Sequence, residues 1–197
     1  MHPRILPAAA VNAALFSVLI VATAPVVAQR PDPAAMIAAQ TEAMKSFAML
    51  DGVWRGPAMA VQPDGSRTTF VQTERIGPFL GGSIKVIEGR GYDGAGRVRF
   101  NAFGIVSYNA ATSQYTLHSY AQGYVGDFPF EATGNGYRWA IPIGPATVRY
   151  TAVVEDGELH EVGDRVAPGQ EPARVFEMHL KRVTDTDWPA AGAIPPQ

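Results

Sequence analysis

From Gly52 onward the chain alternates between short β-rich segments and turn-forming residues at near-regular intervals. The turn signals fall at residues 63–66, 81–82, 93–96, 110–113, 134–136, 143–145, 156–157 and 168–170. Such spacing is typical of successive hairpins, because the crossover connections of parallel strands need a dozen or more residues. The pattern predicts about nine or ten antiparallel strands.

Side-chain alternation predicts that each strand has one apolar face. In the segment 147–155 one face carries Val148, Tyr150, Ala152 and Val154, and in a later segment one face carries Phe176, Met178 and Leu180. An open sheet of this many strands has two edges to protect, whereas a closed barrel has none. We therefore predict an all-β fold, an up-and-down antiparallel β-barrel. A two-sheet sandwich alternates in the same way and is the competing architecture.

One helix is predicted ahead of the strands. Asp32 is suited to cap its N-terminus, and Pro33 suits the first helical position. The apolar residues that follow near helical spacing are Met36, Ile37, Met44, Phe47 and Leu50. We expect this helix to lie against the barrel or to plug one of its ends.

The first 28 residues have the pattern of a secretory signal peptide. Arg4 supplies the positive charge, residues 15–21 are apolar, and the small-residue site at 26–28 predicts cleavage after Ala28. A membrane anchor is the alternative, but the apolar stretch is shorter than the roughly 20 residues that a span needs. The predicted organisation is a signal peptide (1–28), a leader and helix (29–51), a β-barrel (52–184) and a flexible tail (185–197). The predicted location is the periplasm or the medium.

Composition excludes several classes of function. The chain contains no cysteine, so it has neither disulfides nor thiolate ligands. Its formal net charge of −2 gives no electrostatic basis for binding nucleic acid or an anionic membrane. We expect a small hydrophobic molecule as partner, no nucleic acid and no stable membrane span, and the oligomeric state is left open.

The Gly52-x-Trp54 start of the first strand, directly after a short helix, resembles the calycin superfamily of lipocalins, fatty-acid-binding proteins and nitrobindin-like barrels. More closely, the segments 50–56, 79–82 (with Glu74 ahead of it) and 91–93 are similar to a bacterial lipocalin-like family of unknown function. The similarity of pattern covers roughly residues 50–183. It implies a barrel with an internal cavity and a small apolar ligand, and it implies no particular reaction.

No cofactor and no metal site are predicted. Nitrobindin-like barrels bind haem through a histidine near the C-terminal end, and the resemblance points to His179 for that role. The surrounding motifs of that family are not matched, so haem through His179 is a minority alternative. His118, His160 and His179 lie on different predicted strands without a His-x-His pair, so a metal site would have to assemble across strands.

Catalytic motifs are equally scarce: there is no Gly-x-Ser-x-Gly, and no glycine pair precedes a helix that could hold a phosphate. The weak catalytic candidates are the mid-strand residues Glu74, His118 and Tyr120. His118 and Tyr120 share a face opposite Tyr115 and Leu117. If that face points inward, they could bind a head group or act as an acid-base pair, although an outward, solvated position is favoured for either one.

Aromatic residues occur on nearly every predicted strand, which suits a packed core or an aromatic-lined pocket. The predicted ligand-binding residues are Trp54, Phe70, Phe100, Tyr108, Tyr120, Trp139, Tyr150 and Arg138. The leading hypothesis is an exported lipocalin-like barrel that binds a small hydrophobic ligand. The alternatives are a cofactor-free barrel enzyme (an isomerase, lyase or hydratase) and a structural or interaction module of the cell envelope. An inward cluster with a strongly shifted carboxylate or histidine pKa favours the enzyme. A large exposed apolar patch together with the absence of a cavity favours the envelope module.

Overall fold

The computed structural model describes residues 32–188. The predicted signal peptide with its cleavage site, and residues 189–197 of the predicted tail, lie outside this range. None of the helices between residues 32 and 188 is both long and apolar enough to cross a membrane.

The described chain forms one short helical segment followed by ten strands. Helix α1 (Pro33–Met44) continues into a 3₁₀ helix (Lys45–Leu50), and a second 3₁₀ turn (Leu80–Gly82) joins β2 to β3. The strands are β1 (Gly52–Val61), β2 (Arg67–Phe79), β3 (Ile84–Tyr92), β4 (Val98–Asn109), β5 (Gln114–Ala121), β6 (Tyr124–Ala132), β7 (Gly136–Ile143), β8 (Ala146–Glu155), β9 (Glu158–Val166) and β10 (Ala173–Thr184).

Each strand pairs antiparallel with its neighbours in sequence, and β1 closes the barrel by pairing with β10. In this last seam Ala58 lies opposite Met178 and Trp54 lies opposite Arg182. The prediction of a closed up-and-down barrel after one helix is therefore confirmed, and the sandwich is excluded. Closure gives every strand an inner and an outer face, so alternate residues line the interior.

The helical segment closes one end of the barrel. Asp32 caps α1 by accepting a hydrogen bond from the Ala34 amide at 3.1 Å. In the 3₁₀ helix, Phe47 is fully buried and its ring centroid lies 5.0 Å from that of Tyr115 and 5.2 Å from that of Phe130. The Tyr115 hydroxyl donates to the Ala43 carbonyl at 3.0 Å. We call this end the plugged end and the opposite end the mouth.

Trp54 and Arg182 bind the end of the plug to the wall. The indole Nε1 of Trp54 donates to the Leu50 carbonyl at 2.8 Å. Arg182 lies over the Trp54 ring at 4.3 Å and donates to the carbonyls of Met49 and Asp51. A helix leaves its last carbonyls without intrahelical partners, so these donors satisfy groups that burial would otherwise leave unpaired.

The chain after β10 turns back over the outside of the barrel. Trp188 packs edge-on against Phe79 at 5.5 Å and lies 6.3 Å from Phe103. Asp187 accepts two hydrogen bonds from the guanidinium of Arg75. The first residues of the segment predicted as a tail are therefore in contact with the wall.

Replacing Phe47 by alanine should destabilise the fold by about 3–5 kcal/mol, because it removes a buried ring between the plug and two strands. Urea unfolding of F47A against the parent protein measures this difference. Ile37→Ala is the matched control on α1, since Ile37 is 54% exposed and should change the free energy of unfolding by only about 0.5 kcal/mol. Equal effects of the two substitutions would contradict the role given to the plug.

Candidate functional site

Two carboxyl groups lie inside the barrel. Glu74 on β2 is paired across the ladder with Trp54, and Glu161 on β9 is paired with Ala152 and Met178. All three partners belong to the buried core. Glu74 is 8% exposed and Glu161 is 6% exposed. Buried acids are rare in an apolar interior because the charged form loses its hydration, so this pair is the first candidate for a functional site.

A few polar side chains reach the two acids. The Gln72 amide donates to Glu74 Oε1 at 2.6 Å, and the Trp139 indole donates to Glu161 Oε1 at 3.1 Å. Gln72 itself is 2% exposed, and its Oε1 accepts no hydrogen bond within the described residues. A buried acceptor without a donor costs free energy, so this atom is a natural place for a donor supplied by a bound molecule.

Burial raises the pKa of both acids toward neutrality. The pKa of Glu74 rises to about 8, chiefly through loss of hydration; the hydrogen bond from Gln72 opposes the rise, and the nearby charge of Glu161 adds to it. The pKa of Glu161 rises to about 7 by burial, against the hydrogen bonds of Trp139 and Tyr137. Near neutral pH Glu74 is therefore mostly protonated and Glu161 is divided between its two forms.

The surrounding tyrosines are held in their neutral form. Burial raises the pKa of Tyr150 to about 12, and the charge of Glu161 acts in the same direction. The pKa of Tyr137 is raised well above its ordinary value by burial and by both acids. The two hydroxyls thus remain hydrogen-bond donors at any physiological pH.

Inward-facing glycines make room for these groups. A β-carbon on Gly89, which is paired with Glu74, would lie 2.8 Å from Glu74 Oε1. A β-carbon on Gly163 would lie 2.8 Å from the Tyr150 ring. A larger residue at Gly89 would displace the Glu74 carboxyl group, and one at Gly163 would displace the Tyr150 ring. Glycine at these two positions therefore leaves the space that the two side chains occupy.

Between the acids and the mouth the inner wall is aromatic. Trp139 stacks on Tyr150 with ring centroids 4.4 Å apart and an interplanar angle of 14°. All six rings of this aromatic collar are only half-buried, in contrast to the buried core at the plugged end. The collar consists of Phe70, Phe100, Phe128, Trp139, Tyr150 and Phe176.

The barrel wall is least continuous beside this collar. The ladder between β6 and β7 contains only three residue pairs, which run from the plugged side as far as Phe130 and Trp139. Toward the mouth, the remaining residues of β6 and β7 have no partner in this ladder. On the mouth side of Trp139 the wall therefore lacks the β6–β7 backbone pairing that holds its other seams together.

The predicted site residues lie in different parts of the barrel, some inside it and some on its outer wall. Glu74 lies in the interior, and Phe70, Phe100, Trp139 and Tyr150 lie in the collar. Trp54 and Tyr108 are on the inner face at the plugged end, where Tyr108 packs against Tyr115 at 4.9 Å.

The other three predicted residues lie on the outer wall. The ring of His118 contacts Ser107 Oγ at 2.9 Å and Asp127 Oδ1 at 2.7 Å. Tyr120 is 49% exposed, and Arg138 forms an ion pair with Glu131 at 3.0 Å. The inward set on β5 is Tyr115 and Leu117, so the structure does not bring His118, Tyr120 or Arg138 to the buried acids.

Three further residues of the interior site, Gln72, Tyr137 and Glu161, were not among the predicted site residues. Glu161 is two positions from both Leu159 and Gly163, so it shares their inner face. In the same way Gln72 and Glu74 share the inner face with Ile76. The sequence signal for these acids was therefore a glutamate that shares one face of its strand with apolar residues two positions away.

His179, the residue to which the haem alternative pointed, lies on the outer wall of β10, and its ring stacks on that of His160. No histidine between residues 32 and 188 lies on the inner face. The acids and the collar are therefore the polar and aromatic groups that the described interior offers to a ligand.

An exposed apolar group lies outside the mouth, on the β5–β6 hairpin. Tyr124 is 81% exposed and Val125 is 71% exposed, next to Phe103 and Tyr120. These residues line a shallow hollow with neighbours from β4. An exposed apolar surface is one of the two features that favour the envelope-module alternative, the other being the absence of a cavity.

The protein is thus a closed ten-stranded antiparallel barrel with a helical plug at one end and the aromatic collar toward the other. Beneath the collar lie Gln72, Glu74 and Glu161, which we call the acidic floor. One solved structure with a similar fold is the crystal structure of Rv2717c from M. tuberculosis, with a TM-score of 0.53, 12% sequence identity, and coverage of 71% of this chain and 96% of that chain. At this identity the likeness concerns the fold alone. No protein-family model matches the sequence, and no curated protein sequence matches it.

The raised pKa values of the acids predict that stability falls as pH rises. Between the ordinary glutamate pKa of 4.5 and the values of about 8 and about 7, the native state holds protons that the unfolded state releases, so the free energy of unfolding decreases across that window. Glu74→Gln removes one of these groups. The free energy of unfolding of E74Q minus that of the parent protein should therefore rise by about 2 kcal/mol or more when the pH is raised from 5 to 8.5.

Urea unfolding at a series of pH values measures this change. Glu131→Gln is the matched control, because Glu131 is an exposed outer-wall residue whose loss should leave the pH profile unchanged. A parent protein as stable at pH 8.5 as at pH 5 would show that the acids ionise freely in the folded state.

Proposed function

We propose that this protein is an exported, calycin-like barrel that binds a small molecule with a flat apolar body and a head group that donates hydrogen bonds. The observation that carries the proposal is the buried pair Glu74 and Glu161, placed beneath the aromatic collar. The fold it shares with Rv2717c is compatible with an interior ligand and contributes nothing more specific.

The collar suits the body of such a ligand. Aromatic rings bury large apolar areas and stack on planar groups, and half-buried rings have contact surface left to offer. Trp139 belongs to both parts of the site, since its ring lies in the collar and its Nε1 donates to Glu161. A molecule stacked beside Trp139 would therefore bring its head group to the acids.

The polar groups of the acidic floor determine which head group the site can bind. Among residues 32–188 no donor reaches Gln72 Oε1, and the carboxyl oxygens of Glu74 and Glu161 accept hydrogen bonds. A positively charged amine would meet these acceptors, lower the pKa of both acids and form a charge-assisted contact in a site that excludes water. An anionic head group would add a third charge to an acidic interior. We therefore favour an amine or another donor-rich head over a carboxylate.

Export forms part of the same proposal. The charged, apolar and small-residue regions of residues 1–28 support cleavage after Ala28 and a periplasmic or secreted location. Intact mass measurement of the protein recovered from its own host tests this step: a chain that begins at Gln29 is expected, and a chain that retains residues 1–28 would contradict it.

Two naphthalene probes with opposite heads test the ligand class directly. Calorimetric titration with 1-naphthylmethylamine and with 1-naphthoate compares one aromatic body carrying an amine or a carboxylate. The amine should bind at least about tenfold more tightly, since one charged hydrogen bond contributes roughly 1.5–3 kcal/mol. In a Glu74→Gln, Glu161→Gln double variant the preference should disappear, while E131Q should keep it. Equal binding of both probes, or tighter binding of naphthoate, would contradict the proposal.

The acids also favour a second candidate function, a cofactor-free isomerase, lyase or hydratase. Two carboxyl groups with pKa values of about 8 and about 7 can serve as general acid and general base at neutral pH. Native mass spectrometry of protein purified without detergent would identify a co-purifying molecule. Conversion of that molecule by the parent protein but not by E74Q would establish the enzyme, and its unchanged recovery would favour binding alone.

A further inference from the structure

A second polar cluster lies on the opposite side of the wall. His160 on β9 and His179 on β10 are directly paired across the ladder, and their rings stack with centroids 3.9 Å apart at 18°. Glu177 lies two residues before His179 on the same outer face. Its Oε1 lies 3.2 Å from the Nε2 of His160 and 3.1 Å from the Nε2 of His179. One carboxylate oxygen thus faces two imidazole nitrogens.

These separations match the ligand shell of a transition-metal ion. Zinc binds imidazole nitrogen and carboxylate oxygen at about 2.0–2.2 Å, so neighbouring ligands of a tetrahedral ion lie about 3.3 Å apart. The three candidate ligand atoms all lie within 4.8 Å of one another. Because the two rings stack at 18°, each imidazole must rotate about its side-chain bonds to direct its Nε2 lone pair at a shared ion, and both side chains are exposed enough to do so. Each imidazole would coordinate in its neutral form through Nε2 and carry its proton on Nδ1.

The surroundings hold the carboxylate in place. Arg174 Nη1 lies 3.5 Å from the other oxygen of Glu177, and Arg174 Nε donates to Asp164 Oδ1 at 2.6 Å. Groups that orient a ligand in this way commonly support metal sites.

Neighbouring charges do not oppose a cation strongly. Asp164 offsets the positive charge of Arg174, and one step along the ladder Lys181 lies 3.4 Å from Glu158. The residues of adjacent strands directly opposite the cluster are uncharged: Met59 of β1 faces Glu177, and Val153 of β8 faces His160. All three candidate ligand side chains are between 33% and 55% exposed, so an ion can reach them from solvent.

We propose that His160, Glu177 and His179 form a binding site for a divalent transition-metal ion such as Zn²⁺ on the outer wall of the barrel. Two imidazole nitrogens and one carboxylate oxygen occupy three positions, and the fourth remains open to water or to a ligand from outside. The site uses none of the groups of the interior, so it is independent of the proposed function.

Calorimetric titration of the untagged protein with Zn²⁺ tests this proposal. One ion per chain is expected, and His179→Ala or Glu177→Gln should weaken binding by about tenfold or more. His118→Ala is the matched control, because His118 also contacts a carboxylate, Asp127, but its ladder partners are Ile105 and Asp127 and not a second histidine. Thermal unfolding of each variant in the absence of metal should match that of the parent, since these side chains lie on the outer wall.

Cobalt substitution gives a spectroscopic test of the same ligand set. Co²⁺ bound in tetrahedral geometry should produce visible absorption bands that disappear in a His160→Ala, His179→Ala double variant and persist in H118A and E74Q. Failure of the parent protein to take up either ion would overturn the proposal. Uptake that the double variant retains would also overturn it, because the ion would then be bound elsewhere.

Discussion

Hydrogen bonding between the first and last strands is the constraint on which the remaining structure depends. By pairing β1 with β10, the chain converts a ten-strand meander into a closed wall and removes both sheet edges. Closure also decides what every side chain faces. The same seam places Trp54 opposite Arg182, and these two residues hold the end of the plug. A barrel that failed to close here would lose its interior and its plugged end together.

The closed wall separates two kinds of polar chemistry that lie close together in sequence. On β9, His160 points outward and Glu161 points inward; on β10, Met178 points inward between the outward side chains of Glu177 and His179. Water reaches the outer cluster, whose side chains are between 33% and 55% exposed. Water is largely excluded from Glu161, so its proton is held more tightly. Alternation along a strand thus produces two environments from neighbouring residues.

Much of the fold could be predicted from the sequence because its determinants are local. Turn residues between alternating segments predicted the strands, and Asp32 with Pro33 predicted the start of the helix. The direction in which a given residue faces is different, because closure and register fix it for the whole barrel. His118 and Tyr120 therefore stayed ambiguous until the structure placed them outside. The contact of Arg182 with Trp54 joins residues more than a hundred positions apart, and no local pattern reveals it.

Only part of the interior site could be predicted from the sequence, for the same reason. Glu74 and four residues of the collar were singled out from composition and strand position, whereas Glu161, Gln72 and Tyr137 were not. Their importance comes from being buried together, and burial depends on partners from β2, β7 and β9 that meet only in the closed barrel. In the same way His160 and His179 become neighbours only through the pairing of β9 with β10.

Burial raises the pKa of Glu74 to about 8 and that of Glu161 to about 7, and the proposed ligand site depends on this burial. Carbon-13 NMR titration of the glutamate side-chain carboxyl groups, assigned with E74Q and Glu161→Gln, measures these two pKa values most directly. The structure predicts two resonances that titrate near pH 8 and pH 7 and that are lost in E74Q and in Glu161→Gln. Titration of both groups near the ordinary value of 4.5 would show that water reaches them freely, and would contradict the account of a buried acidic floor.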